Sequence, residues 1–264
     1  MKNKLRKALL DRHLTLGTWM QIGHPACAEI LAGLGFDWIC VDLEHGAIDL
    51  ETMANIFRTL DAFDCVPIVR VPWADPIWIR RSLDAGARGL IIPMVNTEEQ
   101  ARLAIRESKY PPMGQRGYGY SRANRHGLDF HAYINSANSE IPIIVQIEHK
   151  DAIANLDSIL AVEGVDGAFI GPLDLSGSFG KSGDLDCPEM RAALAAFRDG
   201  CAKRRKSAGF HVVRPDGANV RNAIEQGYTM LALGVDNVFL AAGAATTLEA
   251  ARGAAVTGPN REAG

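Results

Sequence analysis

Two carboxylates set the chemical problem in this chain. Glu148 follows the apolar run IIVQI at 143–147, and Asp174 follows AFI at 168–170, within IPIIVQIEHK, DAIANLDSILAV and GVDGAFIGPLDLSGSFG. Between them Ala152, Leu156 and Leu160 recur at the spacing of one helix face. A strand–helix–strand unit pairs its strands in parallel and brings both carboxylates to C-terminal strand ends, on one rim of a sheet. Parallel sheets and barrels keep their chemistry on that rim. Two hard oxygen donors facing one another there suit an octahedral divalent cation with positions left open. The same residues would also serve structure alone, Glu148 at the positive end of a helix and Asp174 as a turn cap.

Other reactive groups fall at the ends of further apolar runs. Arg70 sits inside VPIVRVP, and a permanent charge on an interior strand needs an anion. That anion is either a neighbouring carboxylate or a substrate carboxylate or developing oxyanion. Asp42, Glu44 and His45 close DWICVDLEHG, and a histidine beside two acids at a strand end is placed for general base catalysis. Asp84, in RSLDAGARG, lies near a helix C-terminus, where the macrodipole disfavours an acid and a specific partner is expected. Gln146 and Glu148, two apart on a strand, point to the same side of the sheet. Trp19, Gln21, Pro93 and His211 stand at the remaining strand ends. Lys150 is the one lysine near such an end, and it falls in the first turn of the next helix. Schiff-base chemistry, which needs a desolvated lysine, is therefore not expected.

Stepping along the chain, the elements that must gather these groups alternate. Residues 1–14 read as a polar lead-in helix. Strands are expected at GTWMQIGH (17–24), DWICVDLEHG (37–46), VPIVRVP (66–72), GLIIPMV (89–95), then the two carboxylate-bearing runs, AGFHVV (208–213) and TMLALGVD (229–236). Helical patterns separate them, with Asp49 as a cap and Pro76 at a first helical position. Residues 111–140, containing PPMGQRGYGYSRANRHG, form a long segment expected to lie as a loop on the active rim. Eight strand–helix alternations predict an α/β fold, a single (β/α)8 barrel over residues 1–264. A doubly wound open sheet is disfavoured because the glycines of RGYGYSR follow a helix and not a strand.

Composition excludes other classes. With 47% hydrophobic residues and a formal net charge of −3, the chain can bury one large core and offers no basic surface for nucleic acid or an anionic membrane. No apolar run reaches the length of a membrane span, and MKNKLRKALLDRH has no signal-peptide centre. Five cysteines without metal or redox spacing point to a reduced, cytoplasmic protein.

The motifs GFDWICVDLEHG, VPIVRVPW, LDAGARGLIIPMV, KYPPMGQRGYG, IVQIE and VEGVDGAFIGPLDLS together resemble the HpcH/HpaI aldolase family, metal-dependent pyruvate aldolases, from about Leu16 to Val256. The resemblance implies that Glu148 and Asp174 hold Mg2+, Mn2+ or a similar ion such as Co2+, with no organic cofactor. It implies that a keto acid chelates this ion, that Arg70 steadies the enolate oxygen, and that His45 is the base. Asp84 would pair with that histidine across a subunit boundary. Asp42 would complete the catalytic group, and Trp19, Gln146, Gly171, Pro172, Leu173 and His211 would line the substrate pocket. The family pattern further implies a homo-oligomer (a hexamer built as a trimer of dimers), with the last helix swapped between protomers; residues 257–264 read as a flexible tail. His211 and Leu173 depart from the pattern, where an apolar residue and an alanine are usual, and this leaves the aldehyde open. The expected substrate is a 4-hydroxy-2-oxo acid, a 2-keto-3-deoxy sugar acid or 4-hydroxy-2-oxoheptanedioate. Two alternatives stand beside it. One is an acyl-CoA lyase of the malyl- or citramalyl-CoA type, with Arg116, Arg122 and Arg125 as its nucleotide groove. The other is a catalytically silent keto-acid-binding barrel.

Overall fold

Eight short runs rich in β-branched residues pair in parallel, in chain order, and close on themselves. The computed structural model describes residues 3–257. The strands are β1 (Thr15–Met20), β2 (Trp38–Asp42), β3 (Val66–Arg70), β4 (Leu90–Ile92), β5 (Ile143–Ile147), β6 (Val165–Ile170), β7 (Ser207–Val212) and β8 (Met230–Val235). Helices α2 (Pro25–Gly33), α3 (Leu50–Leu60), α4 (Pro76–Asp84) and α5 (Glu98–Ser108) follow the first four strands. Their starts obey capping chemistry: Asp49 accepts from Thr52 N, Pro76 opens α4, and Thr97 and Gln100 form a reciprocal capping box. The predicted (β/α)8 barrel is the observed fold.

Strand alternation divides the buried side chains into two layers. Ile39, Val41, Val69, Ile143, Val145 and Leu231 face outward and pack beneath the helices. Trp38, Cys40, Ile68, Ile91, Ile144, Phe169, Met230 and Ala232 fill the barrel interior. Two missing β-carbons make room for the largest of these. A Cβ at Gly17 would stand 2.0 Å from the Trp38 ring, and one at Gly209 would stand 2.3 Å from Phe169. The N-terminal opening is closed by α1 (Lys4–Asp11), whose Leu5 and Leu9 are 1% and 0% exposed and join the interior cluster.

Two expectations change. Residues 111–140 do not lie on the active rim. They join the end of α5 to the start of β5 through a 3-10 turn (Arg122–Gly127) and α6 (Phe130–Glu140), and so cover the N-terminal end of the barrel. Arg122 donates to the Ala85 carbonyl just past α4, which fixes the segment there. A connection that follows a helix must return to strand N-termini, whatever its length or composition. The helix expected from 151 to 162 is broken at Asn155 into α7 (Lys150–Ala154) and α8 (Leu156–Ala161). The rest of the shell is α9 (Pro172–Ser178), α10 (Pro188–Lys203) and α11 (Gly217–Glu225).

The last helix, α12 (Asp236–Thr257), turns away from the barrel instead of completing the ring. It is apolar without a preferred face, and Leu240 and Leu248 are exposed. The expected tail at 257–264 falls, from residue 258, outside the described residues.

Candidate active site

The C-terminal ends of the strands enclose a cavity of about 290 Å³. Trp19, His45, Arg70, Gln146, Gly171, Pro172, Leu173, Asp174 and His211 line it, so most of the residues singled out from the sequence come together. Glu148 and Asp42 lie just beneath, buried and bonded to lining residues.

Arg70 is fixed by strand register. Asp42 and Arg70 are paired positions on β2 and β3, both facing the interior. The guanidinium therefore meets the carboxylate edge-on, with Nε donating to Oδ1 at 2.9 Å and Nη2 to Oδ2 at 2.7 Å. Gln21 donates to the same carboxylate at 2.8 Å. The Glu44 carboxylate lies 3.1 Å from Arg70 Nε, and the guanidinium carbon stands 4.4 Å from the centre of the Trp19 ring. Burial alone would raise the Asp42 carboxyl, but the bonds from Arg70 outweigh it and hold Asp42 below the usual carboxylate range. Asp42 also accepts from the backbone N–H groups of Glu44 and His45, so it shapes the turn that carries them. Among the described residues, the hydrogen bonds of the guanidinium to side chains come from Nε and Nη2, which leaves Nη1 available as a donor.

Glu148 follows β5 by one residue, with Gln146 two positions earlier on the same interior face. Its Oε1 accepts from the Met94 backbone at 2.7 Å, and its Oε2 accepts from the Gln146 amide. Met94 adopts a left-handed backbone at φ 54°, which turns this N–H into the mouth. A Cβ at Gly171 would stand 2.7 Å from Glu148 Oε2, so a side chain there would displace the carboxylate. Asp174 sits in the first turn of α9. Burial pushes the Glu148 carboxyl up, and the nearby Asp174 charge adds to the effect. Glu44 is pushed up to about 7 by burial, then by Glu148, Asp42 and Asp174, with Arg70 opposing.

Four carboxylates thus surround one guanidinium; Gln146 Oε1 is buried without a hydrogen-bond donor, and Glu44 Oε2 has the ion pair with Arg70 but no hydrogen bond. That imbalance fits a cation. Among the described residues no group of three His, Cys, Asp or Glu could hold a metal by itself. Glu148 and Asp174 match instead an ion that takes one or two carboxylates and completes its shell with water and substrate, as Mg2+ does.

His45 is about half exposed, with Nε2 3.9 Å from Glu44 Oε2. Asp84 does not join it within one chain. It ends α4 at the opposite end of the barrel and accepts from Arg116 Nη2 at 2.8 Å, the partner its position demands. Arg116 is buried against Tyr110 and Tyr133, and Arg125 pairs with Asp129. The three arginines considered for a nucleotide groove are therefore engaged far from the mouth. His211 belongs to β7 itself, with Nε2 3.0 Å from the Gly234 carbonyl. Sequence reasoning missed the Met94 N–H, which has no side-chain signature, and placed Glu44 beside His45 without giving it a role of its own.

A parallel barrel that gathers its reactive groups at the C-terminal mouth is the frame of an enzyme active site. The chain belongs to the HpcH/HpaI aldolase/citrate lyase family, which residues 15–242 match. It is 38% identical over 246 residues to a 4-hydroxy-2-oxo-heptane-1,7-dioate aldolase of Klebsiella pneumoniae subsp. pneumoniae, covering 92% of each chain. The same enzyme of Salmonella dublin is 37% identical over 246 residues, again with 92% of each covered. Among solved structures, an HpcH/HpaI aldolase/citrate lyase family protein from Burkholderia cenocepacia J2315 superposes with a TM-score of 0.91 at 33% identity, over 95% of this chain and 100% of the other.

Proposed function

We propose that this protein is a divalent-metal-dependent pyruvate aldolase, which reversibly cleaves a 4-hydroxy-2-oxo acid to pyruvate and an aldehyde. One observation carries the reading: Arg70, locked between Asp42 and Trp19, lines the same mouth as Asp174, with the Glu148 carboxylate close enough to feel both charges. Glu148 and Asp174 would hold the ion, which supplies positive charge to the keto acid when bound. Arg70 Nη1 donates to the oxygen on C2, where negative charge gathers as the bond between C3 and C4 breaks. His45 takes the proton from the C4 hydroxyl, the C3–C4 electron pair passes into the enolate, and the aldehyde leaves. Protonation at C3 then gives pyruvate. Asp42 acts through Arg70 and the 42–45 turn, as a positioning residue.

The reading extends to assembly. The exposed apolar α12 supports a homo-oligomer, a hexamer built as a trimer of dimers, in which this helix lies on a neighbouring barrel. In that arrangement Asp84 of one copy meets His45 of another. All five cysteines are free, which suits the reducing cytoplasm, and no helix among the described residues is long and apolar enough to cross a membrane.

The test is exchange of the pyruvate C3 protons in deuterated water, followed by NMR with Mn2+ and then with EDTA. Exchange that needs the ion, and that falls by about 10³-fold in Glu148→Gln, is the expected result. No exchange with any divalent metal would sink the aldolase reading.

A further inference from the structure

The part of the mouth away from Glu148 has a composition that selects the second substrate. Among the described residues lining the cavity, the charged or chargeable nitrogens belong to Arg70, His45 and His211. Arg70 is already engaged by Asp42 and Glu44 and has one nitrogen available for the C2 oxygen. Leu173, Leu185 and Val213, all exposed, form the outer wall. A second substrate carboxylate against that wall would lose water and gain no cation from this chain, a costly arrangement. The relatives reported above are named for a heptanedioate, which carries such a carboxylate.

His211 supplies what this wall otherwise lacks. Its Nε2 lies 3.0 Å from the Gly234 carbonyl, which can only accept, so Nε2 carries the hydrogen. Burial lowers its pKa to about 4, so the ring is neutral at physiological pH. Its Nδ1 is therefore a lone-pair acceptor, and the structure gives it no partner. The ring is held a second time, against Trp19, with centroids 6.0 Å apart. A fixed, neutral acceptor in an apolar wall suits a hydroxyl group.

Resting on the aldolase reading, we propose that the aldehyde half handled here is uncharged and bears a hydroxyl that donates to His211 Nδ1, a short hydroxyaldehyde and not an ω-carboxylate semialdehyde. The bonds made and broken are those of the aldol reaction already described; His211 selects and exchanges no proton.

The test is aldol addition of pyruvate, by the Mg2+-loaded enzyme, to glyceraldehyde, propanal and succinate semialdehyde. The kcat/KM for glyceraldehyde should exceed that for each of the others by on the order of tenfold. His211→Leu should bring the glyceraldehyde-to-propanal ratio to about one, and His211→Asn, which keeps an acceptor, should retain part of it. Taking the ratio within each variant cancels any loss common to both aldehydes. Val213→Arg should raise relative activity on succinate semialdehyde by roughly tenfold. Wild-type preference for succinate semialdehyde, or a ratio that His211→Leu leaves unmoved, overturns the proposal. Pyruvate C3 exchange in the same samples separates the failures. Exchange with the wrong aldehyde preference defeats this inference alone, whereas no exchange defeats the aldolase reading with it.

Discussion

The two ends of the barrel treat charge in opposite ways. At the N-terminal end the principal charges are paired within the chain. Arg6 meets Asp166 at 3.0 Å, Asp84 meets Arg116, and the buried Lys109 donates to the Asn138 and Ile141 carbonyls at 3.0 and 2.7 Å. Leu5 and Leu9 seal what remains. At the C-terminal end carboxylates outnumber cations: Asp42, Glu44, Glu148 and Asp174 lie around the guanidinium of Arg70, and Gln146 Oε1 and Trp19 Nε1 are buried without hydrogen-bond partners. Unanswered buried polarity destabilises a fold unless a ligand answers it. One end therefore holds the protein together, and the other is kept incomplete for what it binds.

The sharpest way to break this contrast is Arg70→Ala. Activity should fall by about 10²–10³-fold in kcat, and the Asp42 carboxylate left behind should cost about 3–5 kcal/mol of stability. Steady-state kinetics and denaturant unfolding measure the two losses separately. Leu9→Ala, at the sealed end, should lose about 2–5 kcal/mol while kcat stays within roughly twofold, since the plug touches no reacting group. A comparable fall in kcat would show that the two ends are not independent.

The third prediction concerns pH. His211 titrates near 4 in the folded chain and near 6.5 when unfolded. Between those values the unfolded chain binds the extra proton, so stability is whole above about pH 6.5 and drains away as pH falls toward 4. His211→Phe should flatten that part of the melting curve by about 1–3 kcal/mol. A wild-type and variant difference that does not change across this window would contradict the buried, neutral ring. Smallest, and most instructive, is Asp84→Asn. If each copy lends its sealed end to a neighbour's mouth, kcat should drop roughly tenfold or more with a melting temperature near wild type. Loss of stability alone would leave Asp84 as the partner of Arg116 and nothing else.

Much of this contrast is legible in the amino-acid order, and the reasons can be stated residue by residue. The alternation of apolar runs with capped helical patterns dictates the barrel. Glu148, Arg70, Asp42 and His45 stand out because polar residues at the ends of apolar strands have to face something. Other features depend on three dimensions. That Asp42 and Arg70 are opposite one another is a matter of register between strands. The donor from Met94 is a backbone group, and its left-handed conformation has no mark in a methionine. The 111–140 segment looks functional by length and composition, but neither says which end of the barrel it covers. Its position after a helix does.

The paired glycines have a consequence for how such a protein can change. Because Gly17 and Gly209 admit Trp38 and Phe169 to the centre, the cavity has a floor, and its depth is set by two hydrogens standing where side chains would be. Drift at either glycine is closed off by collision. The outer wall, by contrast, is built from exposed residues on separate segments, Leu173 in the first turn of α9 and Leu185 and Val213 in connections, each replaceable without disturbing that floor. A lineage built on this chain can change what the lip admits by small steps, while the end that holds Arg70 and Glu148 stays the same.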